Sequence, residues 1–205
     1  HKTDRLDARL IADFCQKEQP RTWQPLAPQE RTLQALVRHL DSLVETRQQQ
    51  LNRLESSRDP LVTTSLERVI AQLTLEIEQI QSQIQDHIDH HADLKRKQEL
   101  LDTIPGIGLH TATSLLAEMP DLADYPSAKH AAADAGLTPA ERSSGSSVRG
   151  QPRLSKIGNP RVRKLLYFPA LAAIRYNPII KAHRDRLLAQ GKPKMVAVGA
   201  AMRKL

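Results

Sequence analysis

The chain has 205 residues, a formal net charge of +7 at pH 7, 40% apolar residues and only 3% aromatic residues. That length allows one or two domains with a buried core. No apolar run reaches the roughly 20 residues that span a bilayer, so no membrane partner is expected. The single cysteine, Cys15, excludes an internal disulfide framework and fits the reducing cytoplasm. Few aromatic residues and many Leu, Ala, Gln, Glu, Arg and Lys favour an all-α fold.

Positive charge is concentrated at one end of the sequence. Residues 139–205 contain 15 Lys or Arg against two acidic residues, a net charge of +13, whereas residues 1–138 carry a net charge of −6. A basic segment attached to a mildly acidic body predicts a surface that binds nucleic acid. A solvated basic surface or a disordered tail would have the same composition. The segment also shows apolar periodicity, however, so we expect it to fold.

The first predicted element is a short helix over residues 3–17, with Thr3 or Asp4 as its N-cap. Its apolar stripe consists of Leu6, Leu10, Ile11 and Phe14. Three prolines in residues 18–28 break the helix and predict a linker.

Two long helices with coiled-coil spacing are predicted next, joined by a turn at Asp59-Pro60. Their apolar residues alternate by three and four, as Leu33, Val37, Leu40, Val44, Leu51 and Leu54 in the first and Leu66, Ile70, Leu73, Ile77, Ile80, Ile84 and Ile88 in the second. The short connection predicts an antiparallel hairpin within residues 21–99. So narrow a seam favours self-association into a dimer or tetramer, and a closed intramolecular hairpin is the alternative.

A glycine-rich turn follows the predicted domain boundary near residue 99. Residues 100–118 contain Ile-Pro-Gly-Ile-Gly at 104–108 and then an Ala/Leu-rich helix, which resembles a helix-hairpin-helix motif. Pro105 ends the first helix, while Gly106 and Gly108 permit a tight turn and close approach of a phosphate. Amides after Ile107 would face that phosphate, with Thr111 adding a hydroxyl. An ordinary helical corner is the alternative.

Residues 142–150 form a serine- and glycine-rich segment surrounded by cations. By composition alone this is a flexible basic loop, and a linker or phosphorylation site would look the same. A helix is predicted after Asn159-Pro160, and further helices over about 179–190 and 193–205. The cations predicted to bind nucleic acid in this region are Arg142, Arg149, Arg153, Lys156, Arg161, Arg163 and Lys164.

Taken in order, these motifs resemble the DEDD-type bacterial insertion-sequence transposases, a family of bridge-RNA-guided serine recombinases that includes a pilin-gene invertase. The residues that carry the resemblance are Lys2 to Ala8 (Lys-Thr-Asp-Arg-Leu-Asp-Ala), the coiled-coil insertion, Ile104 to Gly108, Ala135 to Pro139, Ser144 to Gly150 and Ser155 to Lys164. The resemblance implies that residues 1–20 end a RuvC-like domain and that residues 100–205 form the transposase domain.

The resemblance also implies the roles of individual residues. Asp4 and Asp7 would be two of four carboxylates that bind Mg²⁺, although helix N-terminal charge would account for the pair equally well. Ser144 would be the nucleophile that forms a phosphoserine linkage to DNA. A structured guide RNA would pair with donor and target DNA. The alternative is a non-catalytic module that binds DNA or RNA and dimerises.

One departure from the family pattern concerns the metal site. In the family, two further acidic residues lie upstream of the position that corresponds to Asp4. We therefore expect the chain to be a fragment that lacks most of the RuvC-like domain. Catalysis would then need the full-length protein, and the fragment alone would be inactive.

Overall fold

The structure, a computed structural model, describes residues 3–20, 22, 25–120, 122–144 and 148–205. Most of these residues are helical, and the sheet among them has just two strands, which confirms the predicted all-α class. Within the described ranges, no helix has both the length and the apolar character needed to cross a membrane.

The elements follow one another in chain order with short connections. They are α1 (Asp4–Glu18), α2 (Pro28–Ser56), α3 (Pro60–Asp89), α4 (Ala92–Asp102), α5 (Leu109–Glu118), α6 (Ala128–Asp134), β1 (Pro139–Ser144), β2 (Val148–Leu154), α7 (Pro160–Leu165), α8 (Tyr167–Tyr176), α9 (Pro178–Ala189) and α10 (Lys194–Lys204), with a short 3₁₀ turn (Leu122–Asp124) before α6.

The two long helices, α2 and α3, fold back on each other and form a hairpin that we call the arm. Asp59 caps α3, because its carboxylate accepts hydrogen bonds from the backbone N–H groups of Leu61 and Val62 at 2.9 and 3.1 Å. The seam is fully buried near the base of the arm, where the buried residues are Leu33, Val37, Leu40, Ile77, Ile80, Ile84 and Ile88. Farther out, Val44 and Leu51 stay 41% and 38% exposed. The arm alone therefore does not cover all of its apolar surface.

Helix α5 lies between the arm and the C-terminal helices. All six residues from 112 to 117 are buried. Leu116 and Ala117 pack into the base of the arm, whereas Ala112 and Leu115 pack into a second core with α7, α8 and α10. A helix that is apolar on both sides is typical of a protein interior. The arm and the C-terminal helices are thus joined through one buried helix.

The turn between α4 and α5 is fixed by a glycine packed against another helix. Gly106 has a φ of +110°, and a Cβ at this position would lie 2.7 Å from the Cβ of Ala173 and 2.9 Å from its backbone N. The close approach at Gly106 is therefore to helix α8. Ile107, 5% exposed, anchors the same turn in the core.

Helices α7 and α8 form one interrupted rod. Pro169 has no N–H group to donate to the carbonyl of Leu165, which breaks the helical ladder at Leu166. Asn159 caps the start of α7 through its side-chain oxygen, which accepts from the N–H of Arg161 at 2.9 Å. The rod buries Val162, Leu166, Ala170 and Ala173 against the core.

The serine-rich segment differs from the predicted loop, because its described part is an antiparallel β-hairpin. Pro139 pairs with Leu154 and Ser144 with Val148, with an irregularity between Ala140 and Arg142. Backbone hydrogen bonds can hold two polar strands together whatever their side chains. Composition gave no sign of this pairing. Residues 145–147 of the predicted serine loop lie outside the described residues.

Gly106→Ala is expected to destabilise the fold by at least about 2 kcal/mol. A side chain at this φ is strained, and its Cβ would overlap the backbone of Ala173. Gly108→Ala is the matched control, because its φ is −102° and a Cβ there would contact nothing within 4 Å. It should cost less than about 1 kcal/mol. Urea unfolding of both variants measures the difference, and equal losses would contradict the assigned helix contact.

Candidate nucleic-acid interface

The exposed part of the predicted helix-hairpin-helix lies at the start of α5. Gly108 is the N-cap residue, and no side chain caps the helix. Pro105 and Gly108 are exposed and Thr111 is half-buried. The first amides of α5 therefore meet a surface that has room for an anion. Of the two glycines expected to admit a phosphate, Gly108 has open space beside it and Gly106 does not.

Ser144 is the last residue of β1, at the turn end of the β-hairpin. Its Cα partner is Val148, and the neighbouring pairs are Ser143 with Arg149 and Arg142 with Gly150. The base of the hairpin is held in place by Leu154, which packs against the second core, and by the bond from Ser155 N–H to the carbonyl of Thr138 at 2.8 Å. The hairpin therefore carries Ser144 away from that base.

Three of the predicted cations lie on the surface, one within β2 and two after it in the chain. Arg153, Lys156 and Lys164 are exposed, and Lys156 adopts a left-handed backbone conformation with a φ of 60°. Arg161 is also exposed, but its guanidinium lies 3.5 Å from the carboxylate of Asp41 on the arm. Exposed ion pairs of this kind are weak, so Arg161 keeps part of its attraction for anions.

Arg163 is oriented differently from the expectation that it binds nucleic acid. Its Nη1 donates to the carbonyls of Ala135 and Lys156 at 3.4 and 3.3 Å. It is half-buried, and the same nitrogen would be 2.3 Å from a Cβ at Gly136. The sequence pattern could not show these two hydrogen bonds. The carbonyl of Ala135 is 28 residues away in the chain, and that of Lys156 belongs to the turn before α7. Arg163 thus joins the end of α6 to the turn before α7.

The carboxylates of Asp4 and Asp7 lie in the first turn of α1. Thr3 is the N-cap, with its hydroxyl 3.4 Å from the N–H of Leu6, as predicted. None of the residues of α1 is buried, and its apolar residues Leu6, Leu10, Ile11 and Phe14 are 51–65% exposed. In the part of the chain that the structure describes, no three His, Cys, Asp or Glu side chains come together as metal ligands. Lys2, from the same motif, lies outside the described residues.

A buried carboxylate that sequence reasoning missed connects the elements around this surface. The side chain of Glu118, at the end of α5, is 5% exposed. Arg38 on the arm binds it through two bonds, from Nε at 2.8 Å and from Nη2 at 3.0 Å. Asn159 donates its amide to the same carboxylate at 3.0 Å, and Nε of Arg161 lies 3.9 Å away. One side chain therefore links the arm, α5 and the start of α7.

The surroundings of Glu118 keep it ionised. Burial by itself raises the pKa of this carboxyl, but hydrogen bonds from Arg38 and Asn159, together with the charges of Arg38 and Arg161, lower the pKa below its usual value. The same contact raises the pKa of Arg38, mainly through its hydrogen bond to Glu118. The only signal in the sequence was an acidic residue after an apolar helix, and it gives no indication of partners 80 residues away.

Glu118→Gln is expected to lower the free energy of unfolding at neutral pH by about 1–3 kcal/mol, because it removes charge-assisted hydrogen bonds. The pKa of Glu118 is depressed in the folded state, so its contribution is complete above the ordinary value of 4.5 and is lost as the pH falls through the folded pKa. The variant should therefore lose less stability than the wild type below about pH 4.5. Urea melts across pH measure this, with exposed Glu78→Gln as the control. Parallel pH profiles for wild type and Glu118→Gln would contradict the assignment.

Comparison with protein families gives two matches in the order in which the motifs occur. Residues 1–58, which include Asp4, Asp7 and the start of the arm, match a family described as a transposase of the DEDD type. Residues 98–184, which include the α4–α5 turn, the β-hairpin and the α7–α8 rod, match the family described as Transposase IS116/IS110/IS902.

Several curated proteins are similar to the chain. The pilin gene-inverting protein of Moraxella bovis is 34% identical, over all of this chain and 63% of its own length. The transposase for insertion sequence element IS1111A of Coxiella burnetii is 26% identical, over 86% of this chain and 56% of its own length. The transposase for element IS1328 of Yersinia enterocolitica is 27% identical, over 81% and 57%. The chain thus spans less than two thirds of these relatives. With both family matches in the expected order, this chain belongs to the IS110 family of transposases.

Proposed function

We propose that this chain contributes the strand-joining part of a DNA transposase or site-specific recombinase, with Ser144 as the nucleophile. One relative is named for inverting a gene and two others are named as transposases, so each name describes rearrangement of DNA. The observation that carries the proposal is the position of Ser144 at the turn end of a β-hairpin. A nucleophile at such a place can reach a DNA backbone that lies on the surrounding surface.

The proposed step is an exchange of phosphate esters. The oxygen of the Ser144 hydroxyl attacks a DNA phosphorus, the bond from phosphorus to the departing strand's oxygen breaks, and that oxygen takes up a proton. A serine hydroxyl is a weak nucleophile and needs activation. Arg153 at the base of the hairpin and Lys156 after β2 are exposed at the end opposite Ser144, so they would bind neighbouring phosphates and hold the DNA strand in position.

Asp4 and Asp7 fit half of a magnesium site. Carboxylate oxygens are the ligands that Mg²⁺ prefers, and the two residues lie one helical turn apart at the exposed start of α1. Bound Mg²⁺ would stabilise negative charge on a phosphate. The rest of the ligands would come from the other two carboxylates of the DEDD set. The same proposal includes the roles of three parts of the chain. Residues 1–20 would end a RuvC-like domain, residues 21–99 would form the arm that dimerises, and residues 100–205 would form the transposase domain.

DNA is the proposed partner of the basic surface, and a structured guide RNA is the second partner that the family resemblance suggests. The amides at the start of α5 and the exposed cations Arg153, Lys156 and Lys164 would bind phosphates without regard to sequence. Base pairing with the RNA would then supply the choice of DNA sites.

Ser144→Ala in the full-length protein is expected to abolish a covalent protein–DNA adduct, because no other group replaces the attacking oxygen. The adduct is trapped with a DNA substrate whose nicked strand diffuses away after cleavage, and is detected as a mobility shift in denaturing gels. Ser143→Ala, at the neighbouring position of β1, is the matched control and should keep the adduct.

An adduct that persists in Ser144→Ala would disprove the assigned nucleophile. If neither the wild type nor any variant forms an adduct while salt-sensitive DNA binding remains, the chain is a non-catalytic binding and dimerisation module. Binding that does not depend on salt, or no binding at all, would contradict both proposals.

We further propose that the arm mediates assembly into a dimer or tetramer. Two pairs of exposed apolar residues repeat at heptad spacing on the arm, Val44 with Leu51 in the outer seam of α2 and Val62 with Val69 on α3. Their exposed fractions range from 38% to 47%. Apolar side chains repeated every seven residues on a helix surface are typical of a helix–helix interface.

The double variant Val62→Glu/Val69→Glu is expected to shift the protein towards monomer, because like charges would meet where apolar residues pack. Sedimentation equilibrium measures the molar mass. Gln72→Glu/Gln79→Glu adds the same charge at two exposed positions of α3 and should leave the mass unchanged. If the Val62/Val69 variant keeps the wild-type mass, the arm does not mediate assembly through this surface.

A further inference from the structure

One face of the α7–α8 rod presents a phenylalanine among cations. Successive residues of an α-helix are rotated by about 100° about its axis, which places four residues of the rod within a sector of about 60°. They are Arg161, Lys164, Phe168 and Arg175. All four are exposed, whereas Val162, Leu166, Ala170 and Ala173 on the opposite side are buried. We call this exposed face the Phe168 stripe. It is about 20 Å long at the helical rise per residue.

Phe168 is held with its ring in solvent. The side chain is 73% exposed. The ring of Tyr167 contacts it edge-on, with 5.3 Å between the ring centres and an interplanar angle of 77°. An edge contact restrains the Phe168 side chain and leaves ring surface open. A single exposed apolar residue is common on protein surfaces, so the exposure alone gives no ligand.

The charges around Phe168 indicate the ligand. Lys164 lies one helical turn before it and Arg175 two turns after it, and neither has a carboxylate within salt-bridge distance among the described side chains. Arg161, at the end of the stripe, is paired with Asp41. An aromatic ring between free cations is complementary to a polyanion that carries flat apolar groups, which describes a nucleic acid.

We propose that Phe168 stacks on an unpaired base of a single DNA strand whose phosphates are bound by Lys164 and Arg175. In duplex DNA every base is stacked between neighbours, so a ring that lies on a helix surface has no base face to contact without local unstacking. A single strand offers each base face at no such cost. Rearrangement of DNA separates strands near the break, which supplies unpaired bases. The inference rests on the proposed function and names a ligand for a surface that the nucleophile does not use.

The test measures binding of the 205-residue chain to oligothymidylate, oligouridylate and a DNA duplex. Phe168→Ala should weaken binding to oligothymidylate by roughly 5- to 150-fold, the range for loss of one base–aromatic stack. Phe168→Leu keeps the apolar bulk and should also weaken it, whereas Phe168→Tyr should retain wild-type affinity. Ile179→Ala is the control, because Ile179 is 67% exposed on α9 outside the stripe.

Two further measurements make the test specific. Lys164→Gln should reduce the salt dependence of oligothymidylate binding by about 0.7 in log–log slope, while Phe168→Ala should leave that slope unchanged. Trp23 is the chain's one tryptophan. In a Trp23→Phe background, Phe168→Trp therefore gives a single fluorophore, whose emission should be quenched when oligothymidylate binds.

Several results would overturn the inference. The inference fails if Phe168→Ala binds oligothymidylate with wild-type affinity. It also fails if Phe168→Ala loses affinity for the DNA duplex to the same extent, or loses affinity for oligouridylate alone. A change in molar mass on Phe168→Ala would mean that the stripe contacts a second copy of the chain. In each case Ser144-dependent adduct formation would remain, so failure here is distinguishable from failure of the proposed function.

Discussion

The ionised carboxylate of Glu118 is the contact on which the arrangement of this chain depends. It is nearly excluded from solvent, yet it binds Arg38 of the arm through two bonds and Asn159 through a third. A buried charge without partners would be strongly unfavourable, so those partners must be present whenever the fold is complete. Asn159 uses both ends of its amide: the nitrogen donates to Glu118, and the oxygen caps the helix that carries Lys164. The orientation of the basic helix is thereby tied to the base of the arm.

Close backbone contacts act together with that carboxylate. Gly106 brings the α4–α5 turn against Ala173, and Gly158, with a φ of +129°, brings the turn before α7 against the carbonyl of Asp134. Neither contact leaves room for a Cβ. Helix α5 lies between these two points and is buried on both sides, so its exposed first turn and the Phe168 stripe are held in a fixed relation. The two surfaces proposed to bind DNA therefore pack on one shared core, although they are distant in sequence.

The helical part of this fold could be predicted from the sequence because local spacing determines it. The alternation of apolar residues by three and four, from Leu33 to Leu54 and from Leu66 to Ile88, predicted the two helices of the arm. Pro105 marked the end of one helix, and Pro160 marked the start of another. The β-hairpin could not be predicted, because two polar strands are paired by backbone bonds that leave no apolar pattern. The contacts of Arg163 and Gly106 could not be predicted for a related reason. Each residue follows a pattern that fits phosphate binding, and no pattern shows the contact that it makes with a remote segment, the carbonyl of Ala135 or the helix at Ala173. The roles of Ser144, Asp4 and Asp7 stay predictions.

The net charge of +13 in residues 139–205 therefore overstates the number of cations that a polyanion can contact. Of the cations in the basic third of the chain, Arg163 is turned inward to carbonyl groups, and Arg161 is partly neutralised by Asp41 of the arm. Among the cations that stay exposed, Arg153 and Lys156 lie on and directly after β2, and Lys164 and Arg175 lie on the α7–α8 rod. Phosphates would be attracted to these two groups, and Asp41 on the arm would repel a backbone that approached the Arg161 end of the stripe. The arm thus limits where nucleic acid can lie, as well as carrying the surface proposed for assembly. Charge selects the ligand class, but the folded contacts decide which cations take part.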